Sequence, residues 1–195
     1  TLERMVRATP EGFFFSIKAH QSLTHQVGED LPEAVRRFKQ SLAPLSEAGR
    51  LAAVLFQFPY SFHYTPESRR HLAALCEAFT ELPKAVEFRS DEWQRESVYE
   101  GLKSWNAAFV NVDTPPLSRL PKPSEIVTSD LAYVRFHGRN KANWWKGDNV
   151  SRYDYLYSPE ELSDWLPRIE RLLRQAHLAL VIFNNHSGGK AVSNA

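Results

Sequence analysis

The chain has 195 residues, of which 43% are hydrophobic and 24% charged, so it has enough apolar side chains for a sizeable core. Its net charge of +1 gives no overall electrostatic argument for a nucleic-acid or membrane partner. The single cysteine, Cys76, excludes an intrachain disulfide and a multi-cysteine zinc site, and it fits a reducing cytoplasm.

Six short apolar runs predict six β-strands, and each run ends in polar or charged residues. The runs cover residues 13–18, 53–57, 85–89, 109–113, 133–137 and 180–186. Because side chains alternate across a strand, residues two positions apart share a face. One face of each run is therefore apolar, and the other becomes polar at its C-terminal end. This pattern is typical of parallel strands with a site at their C-terminal rim.

Helical patterns lie between these runs. The four predicted helices cover residues 31–45, 65–79, 93–105 and 158–173. Asp30 and Thr65 precede the first two helices as caps. The fourth helix has the strongest start signal, because Ser158 is a cap, Pro159 takes the first helical position and Glu161 completes a capping box.

The alternation of strands and helices predicts an α/β fold, a TIM-type (β/α) barrel that is incomplete in this chain and forms a single domain over residues 1–195. Two long loops, residues 114–130 and 138–157, follow strands, where barrel enzymes build substrate contacts. Six strands are too few for an eight-stranded barrel, and the abrupt ends of the chain suggest missing segments. An open, doubly wound sheet is the alternative, and it would also bind its ligand at the carboxyl ends of the strands.

Five motifs in the strands resemble those of one family, in the same order. They are residues 13–19 followed by 23–25, residues 54–59, residues 86–89 with Trp93, residues 133–139 and residues 183–186. In these motifs the chain resembles the YecE-like domain of unknown function, number 72. The resemblance implies a TIM-type β/α barrel from which this chain lacks the N-terminal and C-terminal segments. It implies no activity, so the function has to be argued from the residues.

Glu87 and Arg89 form the sharpest candidate pair, because their shared face directs both side chains into the barrel near its rim. The carboxylate can act as a general base, and the guanidinium can hold a carboxylate or phosphate group. A structural ion pair is the alternative, since buried charges must be paired. Arg135 and His137 repeat the same spacing, and a histidine there can carry protons or serve as a hydrogen-bonded structural group.

Asn111 and Asp113 end a third strand. Asp113 can act as a base, as a metal ligand or as the acceptor that orients Arg135, and it can also simply cap the turn that follows. At the first strand, Lys18 is expected to anchor a phosphate rather than to form a Schiff base. His25 lies in the next loop and is expected to reach the same rim.

Amide side chains complete the predicted rim. Gln57, Asn184 and Asn185, together with His186, suit hydroxyl or carbonyl groups of a ligand. The glycine pair at residues 188–189 lacks the spacing of a nucleotide-binding motif, so a plain turn is favoured over an anion site. No closing helix is expected after it.

The segment from Arg139 to Tyr157, named here the Arg139–Tyr157 loop, mixes basic and aromatic residues. Such a mixture can stack against a nucleotide or a single strand, and it can equally form a lid over a small anionic ligand. A lid is favoured, because no basic excess extends beyond this loop. A structural role, in which the tryptophans fix the loop to the barrel, is the remaining alternative.

We therefore expect a small anionic or phosphorylated ligand that is bound and turned over at the rim. The candidate catalytic residues are Glu87, Asp113 and His137. The candidate substrate-binding residues are Lys18, His25, Gln57, Arg89, Asn111, Arg135, Asn184, Asn185 and His186. No cofactor is identified, and no local metal-ligand spacing is present. No apolar stretch approaches the roughly 20 residues that span a bilayer, so no membrane partner is expected.

Two other functions stay open at this point. The first is a metal-dependent hydrolase or isomerase that uses Glu87, Asp113, His137 and His186 as ligands. The second is a non-catalytic module that binds nucleic acid through the Arg139–Tyr157 loop.

Overall fold

The protein forms one curved sheet of six parallel strands in a computed structural model, which describes residues 1–25, 30–148 and 150–195. The strands are β1 Phe15–Lys18, β2 Leu51–Gln57, β3 Lys84–Glu87, β4 Ala107–Asp113, β5 Leu131–Phe136 and β6 Leu178–Phe183. They lie side by side in chain order, and each neighbouring pair is parallel. The expected incomplete TIM-type barrel is confirmed, and the doubly wound alternative is wrong, because the strands of the described ranges follow chain order without the reversal of strand order that a doubly wound sheet has.

Helices connect most of the strands. In the described ranges they are α1 Leu2–Ala8, α2 Gln21–Thr24, α3 Leu31–Glu47, α4 Pro66–Ala78, α5 Glu96–Ser104, α6 Pro159–Ser163, α7 Leu166–Leu173 and α8 Lys190–Asn194. Residues 114–130 contain no helix, as expected, and connect β4 to β5 directly. The short helix α8 corrects the expectation that no helix follows the glycine pair.

The predicted helix starts are mostly correct. Thr65 accepts a hydrogen bond from the Ser68 amide, and Ser158 forms a capping box with Glu161. Asp30 precedes α3 but makes no capping hydrogen bond with its side chain. The predicted helix 158–173 is divided into α6 and α7, because Pro167 in the first turn of α7 has no N–H to continue the hydrogen-bond ladder.

The two faces of the sheet bury different kinds of side chains. The convex face carries large residues such as Phe56 and Phe136, which pack against the helices. The concave face carries smaller residues, among them Ala53 and Ala108. The Tyr133 hydroxyl of β5 lies 2.8 Å from the Ser16 hydroxyl of β1, so the sheet curls far enough for distant strands to touch. Polar side chains at the ends of different strands can therefore meet inside the curve.

An aromatic stack on the convex face fixes the end of β3. Phe88 stacks on Trp93 with ring centroids 4.4 Å apart, and Trp93 stacks on Phe62 at 5.0 Å. The Trp93 indole also donates a 2.7 Å hydrogen bond to the Phe62 carbonyl oxygen. Because Phe88 lies between Glu87 and Arg89 in the chain, this stack holds both charged residues on the opposite, concave face.

Replacement of Phe88 by Ala should lower the free energy of unfolding by about 3–5 kcal/mol, because it leaves a cavity in this stack. Denaturant titration followed by circular dichroism measures the change. The matched control is Phe14→Ala at an exposed position, which should stay within about 0.5 kcal/mol of the wild type. Equal effects of the two substitutions would contradict the structural role of the stack.

Candidate functional site

Glu87 lies at the centre of a buried polar cluster on the concave face. Its Oε2 atom accepts a 2.5 Å hydrogen bond from Nη1 of Arg135, and its Oε1 atom lies 2.8 Å from Nε of Arg89 and 3.0 Å from Nε2 of His137. The two Oε1 contacts are close in distance, but their angles fall outside hydrogen-bond geometry. Strands β3 and β5 thus bring together the two pairs that the sequence singled out.

Two amides extend the cluster to neighbouring strands. Oε1 of Gln57 accepts hydrogen bonds from Arg89 at 3.2 Å and from Arg135 at 3.1 Å. Asn184 accepts from Nη2 of Arg135 at 3.0 Å through Oδ1, so its Nδ2 group is the one that faces Nδ1 of His137 at 3.1 Å. Because Asn184 donates to Nδ1, the neutral ring of His137 carries its proton on Nε2, toward Glu87.

The environment of the cluster lowers the pKa of both Glu87 and His137. Burial alone would raise the pKa of Glu87, but the guanidinium groups of Arg135 and Arg89 outweigh burial and hold this pKa well below 4.5. Burial, reinforced by Arg89, lowers the pKa of His137 to about 3, although Glu87 acts in the opposite direction. At neutral pH the cluster therefore contains an ionised Glu87, a neutral His137 and two charged arginines.

A cleft of about 490 Å³ opens above this cluster, at the carboxyl ends of the strands. Its lining includes four cationic side chains, Lys18, Arg89, Arg135 and Arg152. His25, Gln57, Asn184 and His186 add polar groups. Among the described residues of this lining there is no carboxylate, since Glu87 lies beneath it and is fully buried.

The Arg139–Tyr157 loop supplies one wall of the cleft. Trp144, Trp145 and Tyr153 line it, and the ring of Tyr153 lies 5.9 Å from the guanidinium carbon of Arg89. Residue 149 of this loop lies outside the described residues. Three of the five aromatic residues of the loop thus line the cleft, whereas Tyr155 and Tyr157 pack on the helical side of the sheet.

Asn111 and Asp113 lie on the wrong face for the predicted rim. Val112 of β4 is in register with Arg135 of β5, and Asp113 is in register with Phe136. Paired positions of parallel strands share a face, so Val112 faces the cluster and Asp113 faces the helices. The prediction that Asp113 orients Arg135 is therefore wrong.

Asp113 instead anchors the Arg139–Tyr157 loop from behind. Its carboxylate receives two hydrogen bonds from Arg139, at 2.9 and 2.7 Å, one from the Tyr157 hydroxyl at 2.8 Å and one from the Trp165 indole at 2.7 Å. The Tyr157 hydroxyl also accepts the amide N–H of Gly138 at 2.8 Å. Gly138 has φ +87°, and a Cβ atom there would lie 2.7 Å from Cβ of Tyr155, so this position requires glycine.

Asn111 and Asn185 also have structural partners on the convex side. The Asn111 amide accepts hydrogen bonds from the Ser124 hydroxyl and the Ile126 amide, and it donates to the Ile126 carbonyl, which fixes the loop before β5. Asn185 donates to the Tyr155 carbonyl and to the Asn194 side chain of α8. Both residues therefore lie apart from the cleft that they were predicted to line.

The sequence did not point to Tyr60 or Leu120, which also line the cleft. Tyr60 follows β2 by three residues, so its position just beyond a strand end was an available signal. Leu120 comes from the loop between β4 and β5, where no periodic pattern marks it. The contact that brings Leu120 to the cleft depends on the path of that loop in space.

The metal-site alternative loses part of its ligand set. Asp113 is separated from Glu87, His137 and His186 by the sheet itself. Across the described ranges, no three His, Cys, Asp or Glu side chains come together as a metal-binding group.

Cys76 is buried in the helical layer, as expected, and burial raises the pKa of its thiol to about 12, so it is a poor nucleophile.

No helix in the part of the chain that the structure describes is long and apolar enough to cross a membrane.

Comparison with known proteins gives consistent results for sequence and structure. The model of the family described as "Protein of unknown function DUF72" matches residues 1–195. The UPF0759 protein YunF of Bacillus subtilis (strain 168) is 36% identical over 208 residues, which cover 98% of this chain and 74% of YunF.

Crystal structures of two DUF72 family proteins have the same fold. The protein from Thermotoga maritima MSB8 is 39% identical, with a TM-score of 0.93, and the match covers 99% of this chain and 75% of that one. The protein from Enterococcus faecalis V583 is 31% identical, with a TM-score of 0.91 and the same coverage. The resemblance seen in the strand motifs is thereby confirmed.

Replacement of Asp113 by Asn should lower the free energy of unfolding by about 1–3 kcal/mol, because an amide offers only one oxygen to the four donors that the carboxylate serves, although Arg139 keeps its ion pair with Glu161. Tyr157→Phe should cost about 1–3 kcal/mol, because it removes the hydrogen bond donated to Asp113 and leaves the Gly138 amide without its acceptor. Urea denaturation measures both values. A change below about 0.5 kcal/mol for Asp113→Asn would contradict the anchoring role.

The stability of the protein should fall as the pH decreases from about 6.5 toward 3. In this range the unfolded chain protonates His137 while the folded protein keeps it neutral, so protons favour unfolding, with a slope of up to about 1.4 kcal/mol per pH unit. Glu87 adds to the loss below pH 4.5, where the unfolded carboxylate takes up a proton first. Unfolding titrations at several pH values measure the slope.

The variant His137→Gln should reduce this slope between pH 6.5 and 4.5. The control variant His177→Gln, at a highly exposed position, should leave it unchanged. A slope that is the same in all three proteins would show that His137 titrates normally.

Proposed function

Because the chain belongs to the DUF72 family, whose description names no activity, we propose a function from its own residues: the cleft binds a small anionic ligand, such as a phosphorylated metabolite. The observation that carries the proposal is the convergence of Lys18, Arg89, Arg135 and Arg152 on one cleft. These residues come from three strand ends and a loop, so the fold gathers charges that are far apart in the chain. The repulsion between these like charges costs electrostatic free energy, and a bound anion offsets that cost.

The electrostatic balance of the cleft supports an anion. Four cationic side chains line it, whereas the neighbouring carboxylate, Glu87, is shared between Arg89 and Arg135. Within the described ranges, Lys18 and Arg152 form no ion pair with an acidic residue. A phosphate or carboxylate group would complete their charge, and guanidinium groups can hold such oxyanions in a bidentate manner.

Glu87 and His137 act in this proposal as positioning residues. Neither lines the cleft, and the pKa of each is well below neutral pH. Glu87 holds the two guanidinium groups in place, and His137 contacts Oε1 of Glu87, the same oxygen that Arg89 contacts. In this proposal Glu87 and His137 orient Arg89 and Arg135, in place of the proton transfer that the sequence predicts for them.

His186 is the lining residue best suited to acid–base chemistry. Its Nδ1 atom lies 3.1 Å from the Asn184 carbonyl oxygen, to which it donates a hydrogen bond. In the neutral ring the Nε2 atom is then an acceptor, and His186 is exposed to solvent at the cleft. We assign proton transfer to this group if the ligand is turned over.

We also propose a cytoplasmic location, which the single free thiol of Cys76 favours.

Replacement of Lys18 by Ala should weaken the binding of inorganic phosphate about tenfold, because it removes one charge-assisted contact. Isothermal titration calorimetry at low ionic strength measures the affinity. Lys18 is exposed, so the variant should unfold at the same denaturant concentration as the wild type. Added sodium chloride should weaken binding to the wild type through screening.

The matched control is Lys141→Ala, which removes the same charge from an exposed position outside the cleft. It should bind phosphate as the wild type does. If the two variants lost affinity equally, the net charge and not the cleft would explain binding. The absence of any phosphate binding to the wild type would refute the proposal.

A further inference from the structure

We propose that the anionic ligand of this cleft carries a planar aromatic ring, which stacks on Trp145. The inference rests on the proposed function, since it names the chemical class of the ligand in the same cleft. It is carried by the position, exposure and support of one indole ring.

Trp145 is unusual among the tryptophans of this chain. Its exposed fraction is 51%, whereas Trp93, Trp144 and Trp165 are each at most 4% exposed. Exposure of a large aromatic ring to water forgoes the gain from burying it. A half-exposed indole at the mouth of a polar cleft therefore indicates a surface that a ligand covers.

The ring of Trp145 is held in place rather than left to rotate in solvent. It contacts Tyr60 edge to face, with ring centroids 4.9 Å apart and an interplanar angle of 70°. Tyr60 follows β2, and Trp145 follows β5, so the contact spans the mouth of the curved sheet. The contact fixes the indole before the ligand arrives, which reduces the entropy lost on binding.

The cationic and aromatic parts of the cleft are joined by Tyr153. Its ring lies 5.9 Å from the guanidinium carbon of Arg89 and 6.0 Å from the ring of Trp144. A ligand with its anionic group near Arg89 therefore extends along aromatic surface. This arrangement suits an aryl phosphate or an aryl carboxylate better than an inorganic anion.

The size of the cleft agrees with this class of ligand. Its volume of about 490 Å³ lies within the roughly 300–1,000 Å³ that small-molecule sites occupy. An inorganic phosphate would fill only a small part of it. The remaining volume is bounded by Tyr60, Trp145 and Leu120, whose side chains suit a flat apolar group.

The test compares three probes by isothermal titration calorimetry: inorganic phosphate, phenyl phosphate and cyclohexyl phosphate. The two esters have the same anionic group and similar rings, but only the phenyl ring is planar and aromatic. We expect phenyl phosphate to bind the wild type about fivefold more tightly than cyclohexyl phosphate, because stacking adds to burial. Trp145→Ala should abolish this preference and leave the affinity for inorganic phosphate unchanged.

Two further variants make the result specific. Trp145→Phe keeps a stacking ring and should retain most of the preference for phenyl phosphate. Leu166→Ala removes a side chain that is 58% exposed but lies outside the cleft, and it should bind all three probes as the wild type does. Circular dichroism confirms that each variant is folded, which is expected because both positions are exposed.

The outcomes separate this inference from the proposed function. Equal affinity for the two esters, or a preference that persists in Trp145→Ala, would overturn the aromatic ligand while binding of inorganic phosphate still supports an anion site. Failure of all three probes to bind the wild type would overturn both.

Discussion

The buried carboxylate of Glu87 is the constraint on which this site depends. Two guanidinium groups cannot lie side by side in a protein interior without a counterion, because the cost of burying them together exceeds any packing gain. Glu87 contacts Arg89, which follows it by two residues in the chain, and Arg135, which lies on β5, two strands away in the sheet. The carboxylate therefore fixes the distance between two strand ends as well as the direction of both cations toward the cleft.

The neutral state of His137 follows from the same arrangement. A third positive charge beside Arg89 and Arg135 would compete for one carboxylate, and burial already lowers the pKa of the imidazole. His137 instead links Glu87 to Asn184, so that the cluster extends across β3, β5 and the end of β6. Glu87 and His137 thus lie buried beneath the cleft, and the guanidinium groups that contact Glu87 line it.

A second buried carboxylate, Asp113, performs a comparable task on the other face of the sheet. It accepts hydrogen bonds from Arg139, Tyr157 and Trp165, and these bonds hold both ends of the Arg139–Tyr157 loop against the helical layer. The same loop delivers Trp144, Trp145, Arg152 and Tyr153 to the cleft. The geometry of the aromatic wall therefore depends on a residue that never contacts the cleft, which explains how an acidic residue at a strand end can be structural.

The sequence by itself determined the parallel strands, most of the helix starts and the polar character of the strand ends, because these follow from local periodicity and capping chemistry. It also identified Glu87, Arg89, Arg135 and His137, since residues two apart on a strand must share a face. Which face of β4 turns toward that cluster depended on register: Val112, not Asp113, is level with Arg135. Only the tertiary structure decided this, and only it brought Tyr60 and Trp145 together across the mouth, because such contacts depend on the curl of the sheet and the paths of loops that no local pattern encodes.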